Sequence, residues 1–295
     1  MAEMERELVS TPTLSAVELD CGETVSVKLL GGGTRTVKLL DTKASVKRRG
    51  RLPYRDADGV IRYQISCRLK VDGQVVSLVR QIPSQDNFRD PPTVMGLHLW
   101  LDAVAGIDAF LTSHGTTACF PRKACRLAVW DATQRICPPL VHPWCPLPEG
   151  SLRVEQCYRG EDVWLGPYDG AECHGGLDIN HPAGTPLWTP VSIHEHELFD
   201  STTAGANNNR WRGLHHWPDG KTWLLQSHHL TRLLVPEGEP IEAGVHYAEG
   251  AGVHNGSHEH SHFAFGIREG DMEYLLDPWL LFWQMYRDRD ATGAR

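Results

Sequence analysis

Apolar and polar positions alternate along the first ninety residues in short runs. Thr24 to Leu30 and Thr34 to Leu40 are β-prone and are separated by Gly31-Gly32-Gly33, which predicts a hairpin. Arg62 to Leu69 and Gln74 to Val79 flank Asp72-Gly73, a favoured turn dipeptide, and predict a second one. The pattern then changes period. After Pro91-Pro92-Thr93, the residues Leu97, Leu101, Val104 and Leu111 fall near helical spacing. Trp100, Ile107 and Phe110 widen that face, and Gly115 stands as a stop. One helix is therefore expected over about 97–111. Residues 118–150 are rich in Cys and Pro and read as irregular. From Leu152 onward, short strands are divided by Gly, Asn and Pro clusters. The expected fold class is predominantly β (α+β). A β-rich N-terminal domain over 1–150 carries the one helix, and an antiparallel β-sheet domain spans 151–295.

The chain has 295 residues and is 41% hydrophobic, enough for one large domain or two modest ones. Its net charge is −8, so sequence-independent phosphate binding, and with it a nucleic-acid partner, is not expected. The basic run Lys47-Arg48-Arg49-Gly50-Arg51 reads as a solvated loop. No apolar stretch is long enough to span a bilayer, and Asp277 and Pro278 interrupt the most hydrophobic one. The opening residues Met1 to Glu7 lack a basic stretch followed by an apolar one, so no secretory leader is expected there. Eight cysteines include no Cys-x-x-Cys pair, which argues against a zinc ribbon. They read as mostly small buried thiols, with a few disulfides between Cys119 and Cys173 as the alternative.

Thirteen of the sixteen histidines crowd into the second half, and they change the picture. In His174-Gly175-Gly176-Leu177-Asp178, the two glycines would cost a helix about 2 kcal/mol relative to alanine. An extended chain also puts positions 174 and 178 on one side, so the pair belongs on a strand or at its entrance. In Ser257-His258-Glu259-His260-Ser261-His262, strand alternation puts His258, His260 and His262 on one face. The third segment is Gln226-Ser227-His228-His229-Leu230. Imidazoles and a carboxylate suit a divalent first-row metal. Each segment alone is unspecific. His194-Glu195-His196 is also a His-x-His pair and reads as a loop feature, and His215-His216 reads as surface or cleft lining.

The ordered set is more specific. His174 to Asp178, then His229-Leu230, then His260-Ser261-His262-Phe263 resembles the lysostaphin/LytM-type zinc peptidases, a family of peptidoglycan endopeptidases. Gly184-Thr185-Pro186, Gly238-Glu239-Pro240 and Asp277-Pro278-Trp279 extend the resemblance over roughly residues 160–283. It departs at Ser261, at Glu259 and in the acidic segment from Ser192 to Asp200. The resemblance implies that His174, Asp178 and His262 bind Zn2+. It implies that His229 and His260 line the open coordination position and act on water or the oxyanion. It implies a cell-wall peptide substrate and an extracytoplasmic setting. His258, Tyr168 and Arg210 are substrate or supporting contacts in this reading. The alternative keeps the metal scaffold in a polysaccharide lyase acting on an acidic polysaccharide, with Tyr158, Tyr168, Arg159 and Arg210 as contacts. Oligomeric state is not read from the sequence.

Overall fold

A computed structural model describes residues 5–51, 58–113, 119–168, 171–200, 209–252 and 259–292. The described residues are mostly β-sheet with one α-helix. The chain divides into two compact units, Met1–Pro138 with Leu165–Gly175, and Pro139–Trp164 with Gly176–Arg295.

The strands of the first unit are β1 (Glu5–Val9), β2 (Ser15–Leu19), β3 (Thr24–Lys28), β4 (Thr34–Gly50), β5 (Gly59–Val71), β6 (Gln74–Ile82), β7 (Thr93–Val94), β8 (Leu97–Val104) and β9 (Cys125–Asp131). They form two sheets, ordered β1-β3-β4-β5-β6 and β2-β9-β8-β7. Both expected hairpins are present. The β5–β6 turn is the tight one: Val71 pairs with Gln74, and Asp72 and Gly73 both have positive φ, 46° and 92°. The basic run is not a loop as expected. Lys47 to Gly50 end the long strand β4, where Arg48 pairs with Arg62 and Arg49 with Val60.

The helix expected over 97–111 is not formed. Leu97–Val104 is strand β8, and a short 3-10 turn follows at Ala105–Ala109. The expected stop, Gly115, lies outside the described residues. The cause is burial on both faces. Leu99 and Leu101 on one side and Trp100 and Asp102 on the other are all at most 2% exposed, so no period-2 polarity remains to mark a strand. Strand β9, within the stretch expected to be irregular, is buried along its whole length for the same reason. The two strands pair, and they share a buried charge pair. Arg126 donates from Nε to Asp102 Oδ2 at 2.6 Å and from an Nη to Cys119 O at 2.7 Å. Removing Asp102 takes away the shorter of two carboxylate contacts of the buried Arg126 guanidinium, leaving Glu18 Oε1 at 3.4 Å. Asp102→Ala should therefore lower stability, by less than the roughly 3–5 kcal/mol of a charge left with no partner, read as a shift of the urea midpoint.

The second unit holds β10 (Leu177–Asn180), β11 (Thr185–Trp188), β12 (Glu195–Phe199), β13 (Arg210–His216), β14 (Thr222–His228), β15 (Arg232–Leu233), β16 (His246–Gly250), β17 (His260–Glu269), β18 (Met272–Leu276) and helix α1 (Trp279–Thr292). The main sheet is antiparallel and ordered β10-β17-β14-β13-β12, with β18 also pairing β17. A smaller sheet is ordered β11-β16-β15. His194-Glu195-His196, expected in a loop, runs into β12, where Trp211 donates from Nε1 to His196 Nδ1 at 3.2 Å. Helix α1 starts at a local signal: Asp277 Oδ1 accepts the Trp279 N–H at 2.9 Å, just after Pro278. All eight cysteines are free thiols, seven of them buried. Among the described residues, no helix is long and apolar enough to cross a membrane.

Candidate metal centre

Three neighbouring strands build the centre by register. Asp178 on β10 pairs with His262 on β17, which pairs with His228 on β14. Residues paired across a sheet share a face, so these three side chains form one row. His260 stands two residues before His262, at the start of β17, and belongs to the same face. His174 stands just before β10, where its N–H donates to Gly166 O at 2.7 Å and its carbonyl accepts the Leu165 N–H at 2.9 Å. The expectation of a strand entrance for this pair holds.

The donor atoms converge. His174, Asp178 and His262 each offer one ligand atom, and these all lie within 4.8 Å of one another. Among the described residues, this is the group of three whose donors already meet. Asp178 Oδ1 lies 2.7 Å from His262 Nδ1, and its Oδ2 lies 3.5 Å from His260 Nε2. His174 and Asp178 are 2% and 3% exposed, so the carboxylate sits where an uncompensated charge is costly. Two imidazoles and one carboxylate are a donor set that suits Zn2+. Gly176 leaves room for that set. A Cβ there would lie 2.5 Å from His262 Cε1 and 2.6 Å from Phe263 O, so only glycine fits between His174 and the β17 ring.

His229 reaches the same face by a backbone device. Adjacent strand residues point to opposite faces, so His229 would ordinarily turn away from His228. Instead it leaves β14 with φ of +62°, a left-handed conformation that costs on the order of 1 kcal/mol for a non-glycine residue. Two backbone hydrogen bonds hold it there: its N–H donates to Asn209 O at 2.9 Å, and its carbonyl accepts the Gly252 N–H at 2.7 Å. The His229 ring then lies 4.6 Å from that of His260 and 6.4 Å from that of His262.

Each β17 histidine has a stacked partner. The Tyr158 ring lies 4.0 Å from His260 at 17°, and the His228 ring lies 4.2 Å from His262 at 23°. Burial, with the neighbouring imidazoles acting in the same direction, pushes the His228 pKa well below its usual value, so the ring stacks as the neutral form. The sequence reading gave His228 no role. Its place at the end of a strand, directly before His229, is the signal that marks it.

Of the supporting residues expected from the sequence, Tyr168 has its ring 5.3 Å from that of His174. Arg210 is exposed at the start of β13, opposite His228, with its guanidinium 5.8 Å from the Phe199 ring. His258 lies outside the described residues. Ser261, a departure from the family pattern, faces the other side of β17. Its hydroxyl lies 3.2 Å from His181 Nδ1, and a Cβ on Gly250 would come within 2.9 Å of it, so the position takes only a small side chain.

Burial lowers the His181 pKa from 6.5 to about 4. The unfolded chain therefore binds a proton that the folded chain refuses between those values. Stability should fall by about 1.4 kcal/mol per pH unit as pH drops from 6.5 towards 4 on this account. Urea midpoints at several pH values, with and without His181→Phe, would read that slope.

The sequence matches no protein-family model. It matches no curated protein either. Solved structures similar to the chain include the catalytic domain of the antimicrobial peptidase lysostaphin from Staphylococcus simulans, at 19% identity over 48% of this chain and 89% of that one, with a TM-score of 0.30. Full lysostaphin from the same organism is 18% identical over 50% of each chain, with a TM-score of 0.32. A zinc-containing peptidase from Vibrio cholerae is 10% identical over 88% of this chain and 83% of that one, with a TM-score of 0.32.

Proposed function

We propose that the chain is a zinc-dependent peptidase that cleaves a peptide bond in cell-wall peptide. The observation that carries this reading is the convergence of His174, Asp178 and His262, with His229 and His260 beside them. In it, the first three hold the ion. Two neutral imidazoles and one carboxylate leave a dication with net charge +1, and a zinc ion so held polarises a carbonyl and lowers the pKa of water. His229 and His260 do the proton work. One neutral imidazole accepts the proton of the attacking water and returns it to the leaving amine nitrogen. The other donates a hydrogen bond to the carbonyl oxygen as that oxygen gains charge. Tyr158 and His228 hold the β17 rings in plane by stacking. A cell-wall substrate makes an extracytoplasmic setting part of the same proposal.

The test is a product assay on purified peptidoglycan. New amino groups should appear, disappear with a chelator, and return when zinc is restored. The same panel carries acidic polysaccharides. An unsaturated uronate product there, with no new amine from peptidoglycan, would overturn the peptidase reading in favour of a lyase.

A further inference from the structure

The second unit carries another cluster of imidazoles that the proposed reaction does not use. Glu195 pairs with Leu214 and His196 with Gly213 across β12 and β13. His194, one residue before β12, is thereby brought to the C-terminal end of β13, where its N–H donates to Leu214 O at 2.8 Å. The His194 ring lies 5.0 Å from that of His215 and 5.1 Å from that of His216. Glu195 Oε1 lies 3.4 Å from His216 Nε2, and both side chains are open to solvent, at 70% and 44% exposure. The cluster is remote from the candidate metal centre. His215 stands five residues along β13 from Arg210, the residue opposite His228, which is about 17 Å at the rise of a β-strand.

The hydrogen bonds settle the protonation of the central ring. His215 Nδ1 lies 2.5 Å from Ser192 O. A carbonyl only accepts, so Nδ1 carries the proton and Nε2 keeps its lone pair. Metal-ligating histidines show this arrangement, with the second nitrogen donating to a backbone carbonyl and fixing the ring. Burial, with the neighbouring imidazoles His194 and His216 acting in the same direction, lowers the His215 pKa and favours the neutral form that a metal requires. His194 Nδ1 accepts the His216 N–H at 3.1 Å. That exposed side chain gives up one hydrogen bond when it rotates to present a nitrogen beside His215 Nε2.

We propose that His194 and His215, with water completing the coordination, form a second, surface site for a borderline divalent transition cation such as Zn2+ or Ni2+. A set dominated by imidazole favours such cations over Mg2+ and Ca2+, which take oxygen donors. The site is weaker than the His174–Asp178–His262 centre, because its donors are exposed and must rotate into place.

Zinc titration of the metal-free full chain, by calorimetry with and without a competing chelator, tests this. Wild type should show two classes of site, about one ion each. The double variant His194→Ala/His215→Ala should lose the weaker class, its affinity falling at least tenfold, and keep the tight one. Asp178→Ala should do the reverse, which separates failure at this site from failure of the peptidase reading. His246→Ala, an exposed histidine outside the cluster, should leave both classes unchanged. Circular dichroism of each variant checks that it is folded. A single class in wild type, a weaker class that survives the double variant, or one lost equally in His246→Ala would overturn the proposal.

Discussion

Asp178→Ala is expected to abolish stoichiometric zinc binding at the first centre and to lower peptidase activity by at least about 10³-fold. The carboxylate has two functions that no neighbour replaces. In the proposed centre it would contribute the negative charge that offsets a buried dication. It also draws the rings together, with Oδ1 2.7 Å from His262 and Oδ2 3.5 Å from His260. Altering a residue that merely supports a metal ligand typically costs 10–100-fold in metal affinity, and losing a charged ligand costs more. Asp178→Asn separates the two functions. It keeps the shape and one oxygen donor but removes the charge, so it should retain measurable but weakened zinc binding. Metal content after dialysis, read by elemental analysis beside kcat/KM on a peptide substrate, reports both. Unchanged zinc in a folded Asp178→Ala protein would remove the basis of the assignment.

Much of this centre was legible because strand geometry is simple. A period of two puts positions 260 and 262 on one side of β17, and Asp178 joins that face by pairing with His262. The glycines between His174 and Asp178 argued against a helix, and the clash a Cβ at 176 would make with His262 shows why a glycine is needed there. His229 followed a different route. Alternation alone would send it away from the metal face, and only the positive φ after β14 brings it back. The resemblance named His229 as a candidate, and periodicity did not.

Strand β8 and helix α1 were misread for one physical cause, which is burial without polarity contrast. Strand β8 hides both faces, including Asp102, and so mimicked a helix. Helix α1 is the converse. Leu280, Phe282 and Gln284 are fully buried and Trp283 is 7% exposed, so its first turns present no polar face to mark a 3.6-residue period. The local signal there was the Asp277-Pro278 start rather than the pattern that follows it. Where turns are written in Gly or Asp-Gly, as in the two N-terminal hairpins, sequence and structure agree because a positive φ can be satisfied by few residues.

The second large effect expected is a loss of turnover without loss of metal. His260→Ala and His229→Ala should each lower kcat by about 10²–10⁴-fold, the range for a positioned acid–base group or an oxyanion donor, while zinc content stays near that of wild type. Neither ring belongs to the converging donor triple, so the ion's ligands remain. The double variant should be little worse than the poorer single one, because groups that serve the same transition state as a unit fail together. Tyr158 supplies the internal control. Tyr158→Phe preserves the ring stacked 4.0 Å from His260 and should keep most of the activity. Tyr158→Ala frees the imidazole and should lower kcat by more than it raises KM. Measured kcat, KM and zinc content for the five variants divide the centre into what holds the ion and what moves the proton. Zinc loss in His229→Ala to the extent seen in Asp178→Ala would place that ring among the ligands instead.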